Sequence, residues 1–149
     1  MTSYNIIDDT FSSVTSFGNP VFYILALMLS FIFAVPFALN LLSGLMFIEI
    51  LCAIVKLIWP KERPIPQSKE GFLNNIDANS FPSVHSARIA LLGAMFILYY
   101  RNIFISMIAV VVILAVGYSR VYLKRHDYID VIFGFLIGIS VAVIALYVL

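Results

Sequence analysis

The sequence predicts an all-α fold, a polytopic membrane helix bundle with about five transmembrane helices and an N-terminal amphipathic helix lying in the membrane interface. Of the 149 residues, 62% are hydrophobic and only 11% are charged, a composition that a soluble domain cannot cover with polar surface. Short polar connections separate long apolar stretches, each near the ~20 helical residues that cross a hydrocarbon core. We therefore expect residues 1–149 to form a single membrane-embedded domain, whose chemistry is confined to helix ends and short loops.

The interfacial helix is predicted for the N-terminal stretch. Its polar residues, such as Asp8 and Asp9, lie away from an apolar set spaced as on one helix face, namely Ile6, Ile7, Phe11, Val14 and Phe17. A frayed polar tail is the alternative interpretation. The stretch lacks the basic leader and small-residue cleavage site of a removed signal peptide, so we expect it to remain in the protein.

Five apolar spans are expected at residues 21–41, 43–59, 83–100, 103–122 and 128–149. Pro36 is expected to be tolerated inside the first, because neighbouring helices can satisfy the carbonyl that it frees. If all five cross the membrane, the two sizeable polar connections, residues 60–82 and 123–127, lie on one side together with the N-terminus. Cys52 is the single cysteine, and it predicts no disulfide.

Small residues mark the expected packing faces of two spans. Gly134 and Gly138 on the last span have the small-x-x-x-small spacing that lets helix backbones approach closely. Ser86, Ala90 and Ala94 form a similar stripe on the third span. We interpret both stripes as helix packing, with Asp130 of the last span pointing inward.

The polar residues between the last two spans suggest phosphate chemistry. Arg120 ends one span and offers a fork of fixed donors that suits phosphate oxygens. His126 opens the next segment, and Asp130 follows four residues later, so in a helix the carboxylate can accept the proton on one imidazole nitrogen and leave the other free. The alternative is a polar elbow with no function beyond solvation.

Two further stretches add cations and the second histidine. Lys56 and Arg63, seven residues apart around the end of the second span, can converge on one anion. A snorkelling lysine and a rim arginine are the alternative. Ser83 is predicted near the cap of the third span, where free backbone N–H groups bind anions, and His85 follows in the first turn.

Together these stretches resemble the type 2 phosphatidic acid phosphatase superfamily. Its pattern is Lys, six residues, Arg-Pro; then Pro-Ser-Gly-His; then Ser-Arg, five residues, His, three residues, Asp. Order and spacing match throughout at Lys56, Arg63, Pro64, Pro82, Ser83, His85, Ser119, Arg120, His126 and Asp130. Val84 replaces the usual glycine, and its branched side chain restricts the backbone at that point.

The resemblance implies a metal-independent phosphatase that needs no cofactor and forms a phosphohistidine intermediate. His126 is then the nucleophile, Asp130 orients it, and His85 protonates the leaving oxygen. The phosphate is held by Lys56, Arg63, Ser83, Arg120 and a backbone N–H near Val84.

The predicted partners are a membrane lipid phosphate and the lipid bilayer, with no nucleic acid; the oligomeric state is not indicated. Four cations near the motifs, namely Lys61, Arg88, Lys124 and Arg125, are candidates for a second phosphate. The best placed is Arg88, three residues after His85 on one helix face. We therefore favour a polyprenyl diphosphate, with phosphatidic acid or phosphatidylglycerophosphate as other candidates. The expected location is the cell membrane. A count of Lys and Arg favours a cytoplasmic site, whereas the resemblance implies the extracytoplasmic side, which we adopt.

Two other classes of protein stay open. A lipid or ion transporter could carry Glu49 and Lys56 on one helix face and would bind lipid phosphate without releasing inorganic phosphate. A zinc enzyme could use His85, His126 and Asp130 as ligands, and chelator sensitivity would identify it.

Overall fold

A computed structural model describes residues 6–67 and 71–147 of the chain. These residues form seven α-helices and one 3-10 turn. In order they are α1 (Ile6–Thr15), the 3-10 turn (Ser16–Gly18), α2 (Pro20–Phe33), α3 (Val35–Ile58), α4 (Phe72–Ala78), α5 (Val84–Tyr100), α6 (Ile103–Tyr122) and α7 (Tyr128–Tyr147). No strand occurs within the described ranges, and the predicted all-α class is confirmed.

The outer surfaces of the long helices are apolar, as expected of a membrane protein. Met107 of α6 and Leu136 of α7 are more than half exposed. Helices α3, α6 and α7 are long and apolar enough to cross a membrane, and α1 with its 3-10 turn and α2 make a fourth span if this pair, bent by 50°, is counted as one. Helix α5 is shorter, with 17 residues. The exact count of five spans is therefore not confirmed.

The predicted boundary between the first two spans is wrong. The helix breaks at Ala34 (φ −155°, ψ 77°), and α3 then runs without interruption through residues 41–43. Pro36 explains the position of the break, because proline lacks an N–H and is tolerated in the first turn of a helix, not within it. It lies at the start of α3, not inside a longer α2.

Helix α5 is the centre of the bundle and packs against α3, α6 and α7. Its buried residues, among them Leu91 and Met95, join Phe37, Leu41 and Ile48 of α3 in the core. The small-residue stripes pack as predicted. A Cβ at Gly134 would collide with the carbonyl of Ser83, and one at Gly138 would collide with that of Ala87, so α7 lies directly against the backbone of α5.

The start of α5 is capped by the residue that the sequence predicted. Ser83 is the N-cap, and its hydroxyl accepts a hydrogen bond from the Ser86 N–H at 3.4 Å. At the other end Arg101 takes a left-handed conformation (φ 49°), and Asn102 caps α6 through its side chain. The chain therefore reverses within two residues, as expected for adjacent antiparallel helices.

Candidate active site

A polar cavity of about 330 Å³ lies where α3 and α6 end and α5 begins. Most of its lining residues are polar or charged. They are Ser12, Thr15, Lys56, Arg63, Gln67, Asp77, Val84, His85, Arg120, Leu123, Arg125 and His126. Six of the predicted site residues, drawn from all three motifs, therefore share one cavity.

Three of these residues form a buried cationic wall. Lys56, Arg63 and Arg120 are all less than a tenth exposed. Arg120 donates to the hydroxyl of Thr15 at 2.9 Å, yet the Nε atoms of Arg63 and Arg120 are buried without a hydrogen-bond partner. Buried donors are normally paired, so Arg63 and Arg120 each retain a donor from which an anion could accept.

Asp77, which the motifs did not identify, pairs with two of these three cations. Its carboxylate lies 3.4 Å from Lys56 Nζ and 3.6 Å from a terminal nitrogen of Arg63, which also donates to the Asp77 carbonyl. The Asp77 side chain is 76% exposed. It lies near the C-terminal end of α4, in a stretch with no motif spacing, so no signal in the sequence indicated it.

His126 is positioned by the turn that ends α6. Lys124 takes a positive φ of 52°, and the N–H groups of Arg125 and His126 both donate to the carbonyl of Arg120. This turn places the buried His126 ring near Arg120, in the last turn of α6. Burial lowers the pKa of His126 to about 4; Arg120 and Arg63 add to the shift and the nearby Asp130 opposes it. The ring is therefore neutral at neutral pH.

Ser80 lies between His126 and Asp130. Helix α7 begins at Tyr128, so the pair does not have the helical geometry assumed from its spacing, and His126 Nδ1 is 3.7 Å from the Asp130 carboxylate. The Ser80 hydroxyl donates to that carboxylate and lies 3.4 Å from His126 Nδ1. Asp130 therefore reaches His126 partly through a hydroxyl that the motif reading did not include.

Lys61 is the other partner of Asp130. Its ammonium lies 2.6 Å from the Asp130 carboxylate and 3.0 Å from Asp127. Burial opposes a high pKa for Lys61, but hydrogen bonds to Asp130 and Asp127 raise it, so the ammonium stays charged. The sequence suggested Lys61 only as a cation near the motifs, whereas the structure places it directly on the carboxylate behind His126.

The start of α5 supplies Ser83, Val84 and His85. Ser83 is fully buried, accepts from the hydroxyl of Ser86 at 2.9 Å, and is not among the residues that line the cavity. Val84 lines the cavity as the first residue of α5, where backbone N–H groups lack intrahelical partners. His85 also lines the cavity, and its Nε2 lies 2.9 Å from Asn19 Oδ1.

Arg88 lies outside the cavity lining. Its Nε is 2.5 Å from the Glu49 carboxylate, and a terminal nitrogen donates to the Gly18 carbonyl at 3.1 Å. Arg125 is the further cation that lines the cavity. Over the described part of the chain, no group of three His, Cys, Asp or Glu side chains is placed to hold a metal ion.

The chain is similar in sequence to one known family and in fold to two solved structures. The family model of the PAP2 superfamily matches residues 37–149, which leaves α1, the 3-10 turn and α2 outside the match. The crystal structure of LpxE from Aquifex aeolicus is similar with a TM-score of 0.80 at 24% identity, covering 97% of this chain and 88% of that one. A transmembrane PAP2-type phosphatidylglycerolphosphate phosphatase from Bacillus subtilis is similar with a TM-score of 0.77 at 24% identity, covering 97% and 77%. Likeness at this identity concerns the fold.

Proposed function

The chain belongs to the PAP2 superfamily, and from this premise we propose that it is an integral membrane lipid phosphatase that works without a metal ion, through a phosphohistidine intermediate. The observation that carries the proposal is the convergence of Lys56, Arg63 and Arg120 with His85 and His126 on one cavity at the helix ends. Three cations and two imidazoles are the groups that phosphoryl transfer needs for binding, attack and proton transfer. Residues 1–149 would form one phosphatase domain.

The phosphate is proposed to bind against the cationic wall. Its oxygens would displace the Asp77 carboxylate from Lys56 and Arg63 and accept from the buried Nε atoms of Arg63 and Arg120. The N–H of Val84 and the start of α5, capped by Ser83, would add donors and the positive end of the helix dipole. These groups would also stabilise the charge on the equatorial oxygens in the transition state.

In the first chemical step, His126 Nε2 would attack phosphorus. Its neutral ring is suited to attack, and its Nδ1 faces Ser80 and Asp130, which would hold the tautomer and stabilise the imidazolium that forms. A P–N bond forms while the P–O bond to the lipid breaks, and His85, which enters this step as an imidazolium, gives a proton to the leaving oxygen and becomes neutral. Water then attacks phosphorus, His85 takes its proton, and the P–N bond breaks to release inorganic phosphate.

A lipid is the proposed substrate because the cavity lies at the ends of membrane helices. The phosphate would sit at the interface while the tail stays in the bilayer. Arg125 at the cavity supports a second phosphate and hence a polyprenyl diphosphate; Arg88 could serve there only by leaving Glu49 and Gly18. Phosphatidylglycerophosphate and phosphatidic acid remain candidates, the former because a protein of similar fold acts on it.

We also propose that the site faces the extracytoplasmic side of the cell membrane. The cation count alone favours the cytoplasm. Lys56, Arg63 and Arg120, however, are buried in the wall of the cavity and serve substrate binding in this proposal. They are therefore weak evidence about which loops stayed in the cytoplasm.

The test is phosphate release by the purified full chain in detergent containing a chelator. Polyprenyl diphosphate, phosphatidylglycerophosphate and phosphatidic acid are compared in parallel. We expect release from at least one lipid, and none with His126→Ala, because no covalent intermediate can form. Binding of these lipids without release of phosphate would contradict the proposal and favour a transporter.

A second measurement separates the proposed roles of the histidines. His85→Ala should lower turnover of a lipid monophosphate by roughly a hundredfold to ten-thousandfold, because the leaving alkoxide needs a proton. An aryl phosphate, whose phenolate leaves unaided, should lose much less. Equal losses on both substrates would contradict the role of His85 as general acid.

A further inference from the structure

Asn19 is the N-cap residue of α2, yet its side chain does not cap that helix. Asparagine is among the preferred N-cap residues, where its oxygen usually accepts from an N–H of the first turn, a bond worth ~1 kcal/mol. Here Asn19 Oδ1 instead lies 2.9 Å from Nε2 of His85, 66 residues away. The Asn19 side chain therefore contacts the His85 ring, which lines the polar cavity, and not the first turn of α2.

This contact fixes which nitrogen of His85 can act on the substrate. A carboxamide oxygen only accepts hydrogen bonds, so Nε2 of His85 carries a proton and donates a hydrogen bond to Asn19. Nδ1 is then the nitrogen that gives a proton to a leaving group when the ring is an imidazolium, and that takes one from water when the ring is neutral. Asn19 thus contacts one ring nitrogen of His85 and leaves the other free, just as Ser80 and Asp130 lie beside one ring nitrogen of His126.

The backbone beside Asn19 is held against the same ring. A Cβ at Gly18 would come within 2.6 to 2.9 Å of three carbon atoms of His85, so only glycine allows the ring to lie there. The Gly18 carbonyl in turn accepts from Arg88, whose guanidinium is anchored to Glu49 of α3. Packing against Gly18 and the hydrogen bond to Asn19 therefore fix the His85 ring from one side. Both residues belong to the segment that precedes the family match.

We propose that Asn19 is a positioning residue for His85, which holds the imidazole in the tautomer and orientation needed for proton transfer. The inference rests on the proposed function, since it assumes that His85 exchanges a proton with the leaving oxygen. It assigns a part of the reaction to the N-terminal segment, where no motif occurs.

The experiment compares turnover of a lipid monophosphate with that of an aryl phosphate in one detergent at one pH. Asn19→Ala should lower lipid turnover roughly tenfold, the size of one hydrogen bond's net contribution, while sparing most aryl phosphate turnover. Asn19→Asp keeps an acceptor oxygen and should retain the ratio of the unsubstituted chain. Gly18→Ala displaces the ring and should give the same selective loss as Asn19→Ala.

Two controls separate positioning from a general structural effect. Ser16→Ala alters the same turn, where the hydroxyl donates to the Ser12 carbonyl, and should leave the ratio unchanged. In a His85→Ala background, Asn19→Ala should cost nothing further, because the group that it positions is gone.

The outcomes distinguish this inference from the function on which it rests. Equal losses on both substrates for Asn19→Ala, a full additional loss in the His85→Ala background, or an Asp variant as selective as the Ala variant would overturn the role of Asn19 alone. Failure of the unsubstituted chain to release phosphate from any substrate would overturn the proposed function and this inference with it.

Discussion

Replacing Asp77 by Asn should make the protein bind phosphate more tightly. In the ligand-free chain the Asp77 carboxylate pairs with Lys56 at 3.4 Å and with Arg63 at 3.6 Å, so an incoming phosphate has to compete with it. The amide is nearly isosteric but uncharged, and the backbone bond from Arg63 to the Asp77 carbonyl does not depend on the side chain. Only the competition between two anions is removed.

The size of the effect follows from the exposure of Asp77. Its side chain is 76% exposed, so each pair belongs with solvent-screened ion pairs worth ~0.2–1 kcal/mol, although both cations are buried. Two such pairs amount to ~0.5–2 kcal/mol, or roughly a twofold to thirtyfold lower inhibition constant. Because the pairs are screened, the gain should shrink as ionic strength rises.

The assay is inhibition of aryl phosphate turnover by vanadate and by inorganic phosphate. Asp9→Asn is the matched control, since it removes the same charge from an exposed position of α1 that does not line the cavity. An inhibition constant for Asp77→Asn that is unchanged or higher would refute the reasoning. An equal fall with Asp9→Asn would show that net charge, and not the place of Asp77 in the cavity, is responsible.

Three further predictions concern the chemistry at His126. First, kcat/KM on an aryl phosphate should fall as the pH drops through about 4, because the protonated His126 ring cannot attack. Lys61→Met should move this fall to higher pH, since Asp130 would then stabilise the imidazolium without a competing ammonium. A shift to lower pH would contradict the proposed coupling of Lys61, Asp130 and His126. Second, Asp130→Asn should keep the fold, measured by circular dichroism, and lower turnover by roughly 10²–10⁴-fold with little change in lipid binding; unchanged turnover would remove Asp130 from the mechanism. Third, activity should survive EDTA and be blocked by vanadate, whereas loss with EDTA that zinc restores would refute the phosphohistidine route.

Hydrophobic runs predicted the later helices better than the earlier ones. Helix α6 has the predicted bounds and α7 begins at the predicted residue, because polar residues interrupt the apolar pattern at their ends. Between α2 and α3 nothing polar intervenes, so only Pro36 could have indicated the break, and we had expected that residue to be tolerated inside a span. The rule that the residue before a proline disfavours helix predicts a break near Ala34, whereas hydropathy alone does not.

The part of the candidate site that could be predicted is formed by residues that lie close together in the sequence. Lys56 lies in the last turn of α3 and Arg63 follows in the connection after it, and His126 follows Arg120 by one tight turn, so neighbours in sequence are neighbours in the cavity. Thr15, which contacts Arg120 from 105 residues away, has no such signal. Its place depends on how α1 packs on α6, through Phe11 against Tyr118 and Tyr122, and no spacing rule encodes that contact.

The two histidines are held near each other by backbone as well as by side chains. Gly134 allows α7 to lie against the first turn of α5, and there the N–H of Ser83 donates to the carbonyl of Asp130 at 3.0 Å. This bond joins the residue two before His85 to the residue four after His126. Because it involves only main-chain atoms, the spacing between the proposed acid and nucleophile depends on helix packing as much as on the motif residues. The glycine stripe interpreted from the sequence as plain packing therefore also sets the geometry of the site.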